Sequence, residues 1–334
     1  THNSYHAGFA PSEATLLQRL SPELFAALDY RHPPLRQQLD DGVRQLELDV
    51  FADANGGRYA HPASVAQIAK AGLPPAPPGA PAGVMSKPGF KVMHVQDVDQ
   101  RSTCQPLIAC LQEVRAWSKQ HPGHVPIFIL LETKQAPVQL AFPTVQPEPF
   151  DPAAMDALDA ELRSVFRPGE YLSPDQVRGN AATLNAAVLA HGWPSLSEAR
   201  GKVVFLLDQR TAGASYLRGH PSLRGRVCFT NAVPGQDDAA FTELNDGPAE
   251  TITQLVKAGY LVRTRTDADL KEALQHDTTR RDRMLASGAQ LLSTDFPAHE
   301  PAGNGYVVRF EGDAVARCNP QLAQAHCKGV DLGH

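Results

Sequence analysis

Seven short apolar runs recur along the chain, and most are separated by stretches patterned as helices. The runs are Val43–Phe51, Phe90–Val95, Pro126–Glu132, Lys202–Asp208, Arg226–Thr230, Tyr260–Arg265 and Gln290–Thr294. Helical spacing shows in Pro106–His121 (Leu107, Leu111, Val114, Trp117) and in Pro152–Phe166 (Met155, Leu158, Leu162, Val165). Ala249–Ala258 and Ala268–Leu274 are shorter examples. Strands joined by helical crossovers of this length pair in parallel. Thr1–Tyr5 reads as the tail of an eighth strand that begins upstream of Thr1. Eight strands with intervening helices predict a (β/α)8 TIM barrel with a truncated first strand, as one domain over residues 1–334. An open sheet of seven or eight strands fits the same pattern. The region 167–201 is expected to carry extra helices before the fifth strand. Leu73–Pro81 and Ala141–Pro152 are proline-rich, extended connections.

Charge and composition remove several classes. The chain has 334 residues, 42% of them hydrophobic, which suffices for a large core. Its 31 basic and 36 acidic residues give a net charge of −5, without the basic excess of a nucleic-acid binder. No run approaches the ~18 consecutive apolar residues of a membrane span. Val125–Leu131 contains a proline and stops at Glu132. The sequence opens at Thr1 without a methionine, so an upstream segment is expected. Cys104/Cys110 and Cys318/Cys327 form two close pairs without CxxC metal spacing, and Cys228 stands apart. Short-loop disulfides in a secreted or periplasmic protein fit this pattern, with Cys228 a buried free thiol. Four unpaired thiols in a cytosolic enzyme are the alternative.

The most informative feature is charge at alternate positions near strand ends. Side chains alternate faces along a strand, so residues i and i+2 share one. Glu47 and Asp49 share a face opposite Leu46, Leu48 and Val50. Glu132 pairs in this way with Lys134, Arg263 with Arg265, and Asp208 with Arg210. A solvated strand end is the plain explanation of any one pair. Four pairs at matching ends favour one shared site, because charges face a core only when paired or bound to metal. In barrels that site lies at the C-terminal rim. Glu47, Asp49 and Glu132 are hard oxygen donors that suit Ca²⁺, or less well Mg²⁺. Lys134, Arg263 and Arg265 could hold an anion beside the ion. His2 and His94 lie at strand ends, His94 inside the apolar Val92-Met93-His94-Val95. Metal, cations and histidines together suit phosphoryl transfer.

Several motifs in order carry a resemblance. They are Thr1-His2-Asn3-Ser4-Tyr5-His6, Leu46-Glu47-Leu48-Asp49, His94, Ser102-Thr103-Cys104 to Cys110-Leu111, His121-Pro122-Gly123-His124, Leu131-Glu132-Thr133-Lys134 and Ala316-Arg317-Cys318-Asn319-Pro320. Over nearly the whole chain they resemble the bacterial and fungal Ca²⁺-dependent phosphoinositide phospholipases C, within the TIM-barrel phosphodiesterase superfamily. The resemblance implies that His2 and His94 are the catalytic histidines. It implies that Asn3, Glu47, Asp49 and Glu132 ligate one Ca²⁺, and that Lys134 contacts substrate phosphate. Arg263 and Arg265 fall where substrate-binding residues lie, and Asp295 at the eighth strand's end would orient a catalytic or substrate group. His-Asn at positions 2 and 3, with three carboxylates, departs from the His-Arg of glycerophosphodiester phosphodiesterases.

The implied reaction is cleavage of phosphatidylinositol, or a related phosphodiester, to diacylglycerol and a cyclic or open inositol phosphate. Glu47 or His2 would take the inositol 2-hydroxyl proton, and His94 would protonate the leaving oxygen. A glycerophosphodiester or sphingolipid phosphodiesterase on the same barrel is the nearest alternative. A non-catalytic Ca²⁺-binding barrel is the alternative from another class, and a metal-assisted hydrolase of unrelated substrate a third. The expected partner is a phospholipid or soluble phosphodiester, at a membrane surface or free, and the chain is expected to be a monomer.

Overall fold

The computed structural model describes residues 1–267, 270–322, 327 and 332. Among these, seven strands form two sheets. β1 (Gln45–Phe51), β2 (Lys91–Val92), β3 (Ile127–Thr133) and β4 (Val203–Leu207) make the first, in the order β2-β1-β3-β4. β5 (Phe241–Glu243), β6 (Leu261–Arg265) and β7 (Leu291–Ser293) make the second, in chain order. All pairings are parallel except β1 with β2. Six of the seven expected runs thus contain strands, and Arg226–Thr230 does not.

Backbone hydrogen bonds also reach between the two sheets. His2 donates to the Thr294 carbonyl just past β7, and Ser4 donates to the Glu47 carbonyl in β1, each at 3.0 Å. Residues 1–5 form no strand of their own but touch both sheets in this way. On the far side, Leu206 of β4 bridges Phe229, and Asn231 bridges Phe241 of β5.

Two of the expected runs need correction. Phe90–Val95 is not a member of the parallel run; it pairs only as Lys91–Val92, antiparallel to the end of β1. The Gln105 side chain takes the other edge, accepting from Val92 N at 2.9 Å and donating to Val92 O. Arg226–Thr230 forms one isolated bridge, from Phe229 to Leu206, rather than a ladder. β5 carries the pairing instead, and its three residues, one of them glutamate, are too short and too polar to read as an apolar run. The helices fare better. Leu107–Gln120, Pro152–Val165 and Ala249–Ala258 match expectation within a residue or so. The last helix of the reading begins at Lys271, and residues 268 and 269 lie outside the described ones. Three short helices fill the 167–201 region: Pro174–Arg178, Leu184–His191 and Leu196–Ala199.

Local chemistry explains the helix bounds. Asp151 caps Pro152–Val165, its Oδ1 accepting from Ala154 N at 2.8 Å, and proline occupies the first turn, where no N–H is needed. Ala249–Ala258 stops at Gly259, whose φ of +106° suits a residue without Cβ. The inward helical face is the predicted one: Met155, Leu158, Leu162 and Val165 are buried, as are Leu107, Leu111, Val114 and Trp117. They join Leu46, Leu48, Val50, Ile129, Leu131 and Phe205 in the main apolar cluster. Each such residue contributes about 1.5–3 kcal/mol by burial. With one strand face spent on this contact, the alternate residues Glu47, Asp49, Glu132 and Arg263 are left to the other.

The proline-rich loop after helix Ala63–Lys70 is held by Arg101, which donates to the carbonyls of Pro77 and Pro78 and pairs with Glu13. It walls a cavity of about 470 Å³ with Tyr59, Ile68 and Val98.

Cys104 bonds to Cys110 and Cys318 to Cys327, as the spacing predicted, and Cys228 is free and buried. Burial pushes the Cys228 thiol well above its ordinary pKa. Alkylation of the native, unreduced protein is therefore expected to label no cysteine, and only Cys228 after denaturation. Peptide mapping that found four or five alkylated thiols would defeat both pairings.

Candidate active site

Strand register gathers the charged residues. Parallel pairing sets Asp49 of β1 beside Glu132 of β3, and Glu243 of β5 beside Arg263 of β6. Glu47, Asp49 and Glu132 each bring a carboxylate oxygen within 4.8 Å of the others. Both Asp49 oxygens, Glu47 Oε1 and Asn3 Oδ1 are buried and accept no hydrogen bond. Lys134 Nζ lies 3.1 Å from Asp49 Oδ2 and 3.2 Å from Glu132 Oε1. Orphaned, buried, hard oxygens converging in this way fit a Ca²⁺ ion, which takes oxygen donors and tolerates irregular geometry. Burial, then Glu132, push the Asp49 carboxyl well above its usual range when no divalent cation balances the cluster. The same two influences in the basic sense act on Lys134: burial opposes its charge, but Asp49 and Glu132 win and raise its pKa.

Arg263 is fully buried. Its guanidinium donates to Glu47 Oε2, to Ser293 Oγ at 3.0 Å, to Asn245 Oδ1 at 2.8 Å and to Glu243 Oε2 at 3.3 Å. Burial works against the Glu47 carboxylate, yet Arg263 and then His2 hold its pKa below the ordinary value. Glu243 goes the other way: burial outweighs Arg263 and pushes it well up. Asp208, at the end of β4, rises to about 6 through burial and the charges of Glu47 and Glu132. Arg265 is half-buried, and its charge helps hold down both Glu47 and Asp295. Arg210 is exposed and turns to Asn231 and Thr242, outside the cluster.

Two histidine–aspartate pairs flank the carboxylates. His2 places Nδ1 2.9 Å from Asp295 Oδ1 and Nε2 3.6 Å from Glu47 Oε1. Burial opposes the Asp295 charge, but His2 prevails and lowers its pKa. His94 places Nδ1 3.0 Å from Asp99 Oδ2. Burial lowers the His94 pKa, only partly countered by Asp99. Asp99 also meets His6 Nε2 at 2.9 Å, and His6 Nδ1 faces the Tyr30 carbonyl at 2.9 Å. Both His6 nitrogens face acceptors, so the ring carries two protons and a charge. Burial opposes that charge, but Asp99 raises the His6 pKa above its ordinary value.

Of the residues singled out from the sequence, all but Arg210 thus lie around one cluster, with Arg263 beside Glu47 as its buried partner. Sequence reasoning did not single out Asp99, His6, Glu243, Asn245 or Tyr30. His6 stands in the N-terminal motif, and its neighbourhood to His2 was the available signal. Asp99 and Tyr30 sit in loops, where no periodicity marks them.

Acid–base pairs on either side of a cradle for a hard cation are the equipment of a metal-assisted phosphodiesterase. The model of the Ca²⁺-dependent phosphoinositide phospholipase C family matches residues 1–320, and the chain belongs to that family. It is therefore a calcium-dependent phosphodiesterase of phosphoinositides. Among curated proteins none matches the chain. Solved structures do. A calcium-dependent phosphoinositol-specific phospholipase C from Pseudomonas sp., in apo form, is 17% identical, with 91% of this chain and 93% of that chain covered and a TM-score of 0.53. The same enzyme described as a myo-inositol complex gives 16%, the same coverage and 0.51. A Ca²⁺-dependent phosphatidylinositol-specific phospholipase C from Streptomyces antibioticus is 19% identical over 88% of this chain and 91% of that chain, with a TM-score of 0.54. At such identities the likeness is one of fold, and these phospholipases are TIM-barrel proteins.

The Asp99 pairing has a pH signature. Burial would raise its pKa, but the His6 charge and the two imidazole hydrogen bonds lower it from 3.8 to about 2. A depressed acid stabilises the fold above its unfolded pKa and loses that contribution as pH falls through the folded one. Wild type should therefore exceed Asp99→Asn in stability at neutral pH. The gap should shrink, by on the order of 2 kcal/mol in all, as pH falls from about 4 to about 2. Urea midpoints at pH 7, 5, 4 and 3 check this; a gap constant down to pH 3 would remove the paired carboxylate from the account.

Proposed function

We propose that the two sheets, joined by the N-terminal segment on one side and residues 226–231 on the other, form one closed (β/α)8 barrel. On this reading residues 1–334 are a single catalytic domain, and the cluster described above is its active site at the C-terminal rim. The substrate is phosphatidylinositol or a phosphoinositide, cleaved to diacylglycerol and a cyclic inositol phosphate. The observation that carries this reading is the meeting of Glu47, Asp49 and Glu132, with unpartnered oxygens, between two histidine–aspartate pairs.

Asn3, Glu47, Asp49 and Glu132 would hold one Ca²⁺. Bound there, the ion would polarise a phosphate oxygen and make a coordinated hydroxyl more acidic. The chain's own groups supply the rest. Glu47, kept ionised by Arg263, takes the proton of the inositol 2-hydroxyl, with His2 the other base in reach at 3.6 Å. Asp295 holds His2 by Nδ1, so that Nε2 faces the reacting phosphate. Asp99 holds His94 by Nδ1 in the same way, leaving Nε2 to protonate the diacylglycerol oxygen. Lys134 and Arg265 steady the phosphate, Lys134 turning to it from the carboxylates it now bridges. Arg263 is fully buried, with its Nη groups committed to Glu47, Glu243, Asn245 and Ser293, so it acts on substrate through Glu47. The myo-inositol complex of the Pseudomonas enzyme supports an inositol head group. The two disulfides fit a secreted or periplasmic enzyme, and no helix among the described residues is long and apolar enough to cross a membrane. The protein acts as a monomer on this reading.

Glu47→Ala and Asp49→Ala should each abolish Ca²⁺ binding and leave the fold intact. Calorimetry with unchanged affinity in both would remove the site. His2→Ala and His94→Ala should each lower kcat by at least ~10²-fold, and strongly non-additively. A substrate with an activated leaving group should partly rescue only His94→Ala, because such a group needs no proton. The substrate itself is tested by following phosphatidylinositol turnover with phosphorus NMR, with and without EGTA. Cyclic inositol phosphate, lost with EGTA, is the expected product. Turnover of glycerophosphodiesters or sphingomyelin without any cyclic product would replace the phosphoinositide reading.

A further inference from the structure

Asn3 differs from the other expected ligands in having a wrong end. A carboxylate offers oxygen whichever way it turns, whereas a primary amide offers oxygen one way and two N–H donors the other. An N–H₂ group turned toward a cation is repelled by it. Something must therefore fix the amide before the ion arrives, or part of the binding free energy goes into turning it. This rests on Asn3 being a Ca²⁺ ligand, as proposed above.

The surroundings of Asn3 supply such a fixture. Asn3 is buried, with a φ of +43°, so its backbone is held in the left-handed region and the side chain is aimed by the turn. Its Nδ2 donates to the Tyr30 hydroxyl oxygen at 2.6 Å, and its Oδ1 is buried without a hydrogen-bond partner. Tyr30 as a whole is half-buried, and its hydroxyl is the acceptor of the Asn3 bond. The Tyr30 ring is fixed from several sides. It lies 6.1 Å from the His2 ring, nearly parallel, 4.7 Å from His6 and 5.8 Å from His32. The Tyr30 carbonyl faces His6 Nδ1. A ring so constrained presents its hydroxyl at one place, and the amide must meet it.

We infer that Tyr30 is a positioning residue for the metal site: its hydroxyl takes the N–H₂ end of Asn3 and so commits the amide oxygen to the cation. Tyr30 touches no substrate and no metal; it acts through Asn3. In metalloproteins, groups that orient a ligand are typically worth ~10–100-fold in metal affinity when removed.

The test is a Ca²⁺ titration of the full chain by calorimetry, without substrate, in three single and two double variants, with melting of the Ca²⁺-free proteins as the control for folding. Tyr30→Phe keeps the ring and its packing and removes only the hydroxyl. It should weaken Ca²⁺ binding by at least ~10-fold with little change in the Ca²⁺-free melting temperature. Asn3→Asp offers oxygen in both orientations, so Tyr30→Phe added to Asn3→Asp should cost almost nothing further. Asn3→Ala has no amide to orient, and Tyr30→Phe should again add nothing; this pair serves if Asn3→Asp folds poorly. Unchanged affinity in Tyr30→Phe, or the same loss on all backgrounds, would overturn the inference. If Asn3→Ala itself binds Ca²⁺ as wild type does, the ligand assignment fails and takes the inference with it. An Asn3→Ala that weakens binding beside a Tyr30→Phe that does not would sink the inference alone.

Discussion

The ion pair between Arg263 and Glu47 is the interaction on which the site depends. Both groups are fully buried, and desolvating two charges costs more than their attraction returns unless the remaining donors and acceptors are met. The two Nη groups of Arg263 find Glu243, Asn245 and Ser293 besides, drawn from β5, the loop after it and β7, while its Nε and Glu47 Oε1 are buried without a partner. One guanidinium thus ties the second sheet to Glu47 in the first. It also fixes the state of Glu47, which stays ionised although burial alone would protonate it. Removing either partner would strand a buried charge, a loss of about 3–5 kcal/mol.

The acids around this pair are in surplus. Glu47, Asp49, Glu132, Asp208 and Glu243 act on one another and on Arg263, Arg265 and Lys134. Five carboxylates against three cations leave two negative charges, which one divalent ion would offset. Burial first, and then this surplus, push Asp49, Asp208 and Glu243 up when only protein charges are present. Lys134 then serves as a local counterion, lying between Asp49 and Glu132.

The two histidine–aspartate pairs are not equivalent. Asp295 has His2 at hydrogen-bond distance and His32 only at 4.0 Å. Asp99 divides itself between His94 and a charged His6. His94 thus shares the Asp99 carboxylate with His6. His94 is left with an orienting partner, and burial holds its pKa below the ordinary value. His2, beside Glu47 and Asp295, sits in a more negative setting.

The sequence by itself determined which residues could do chemistry. Period-two alternation separated Glu47 and Asp49 from Leu46, Leu48 and Val50, and that division is what the fold uses, because apolar side chains go to the helices and leave charge on the opposite face. Helical spacing likewise named the buried faces of Leu107–Gln120 and Pro152–Val165. Only the tertiary structure decided who meets whom. Asp99, Tyr30, His6 and Asn245 lie in loops or turns, where no local period records a contact made across tens of residues of chain. β5 was invisible because three residues paired on both sides need no apolar run of their own, and Phe90–Val95 misled because an apolar stretch can be satisfied by a glutamine side chain instead of a strand. Arg263 shows the division most plainly: alternation put it on the face of the site, and packing turned it from a candidate for substrate into the buried partner of Glu47, since a guanidinium taken wholly out of water must spend its donors on the protein.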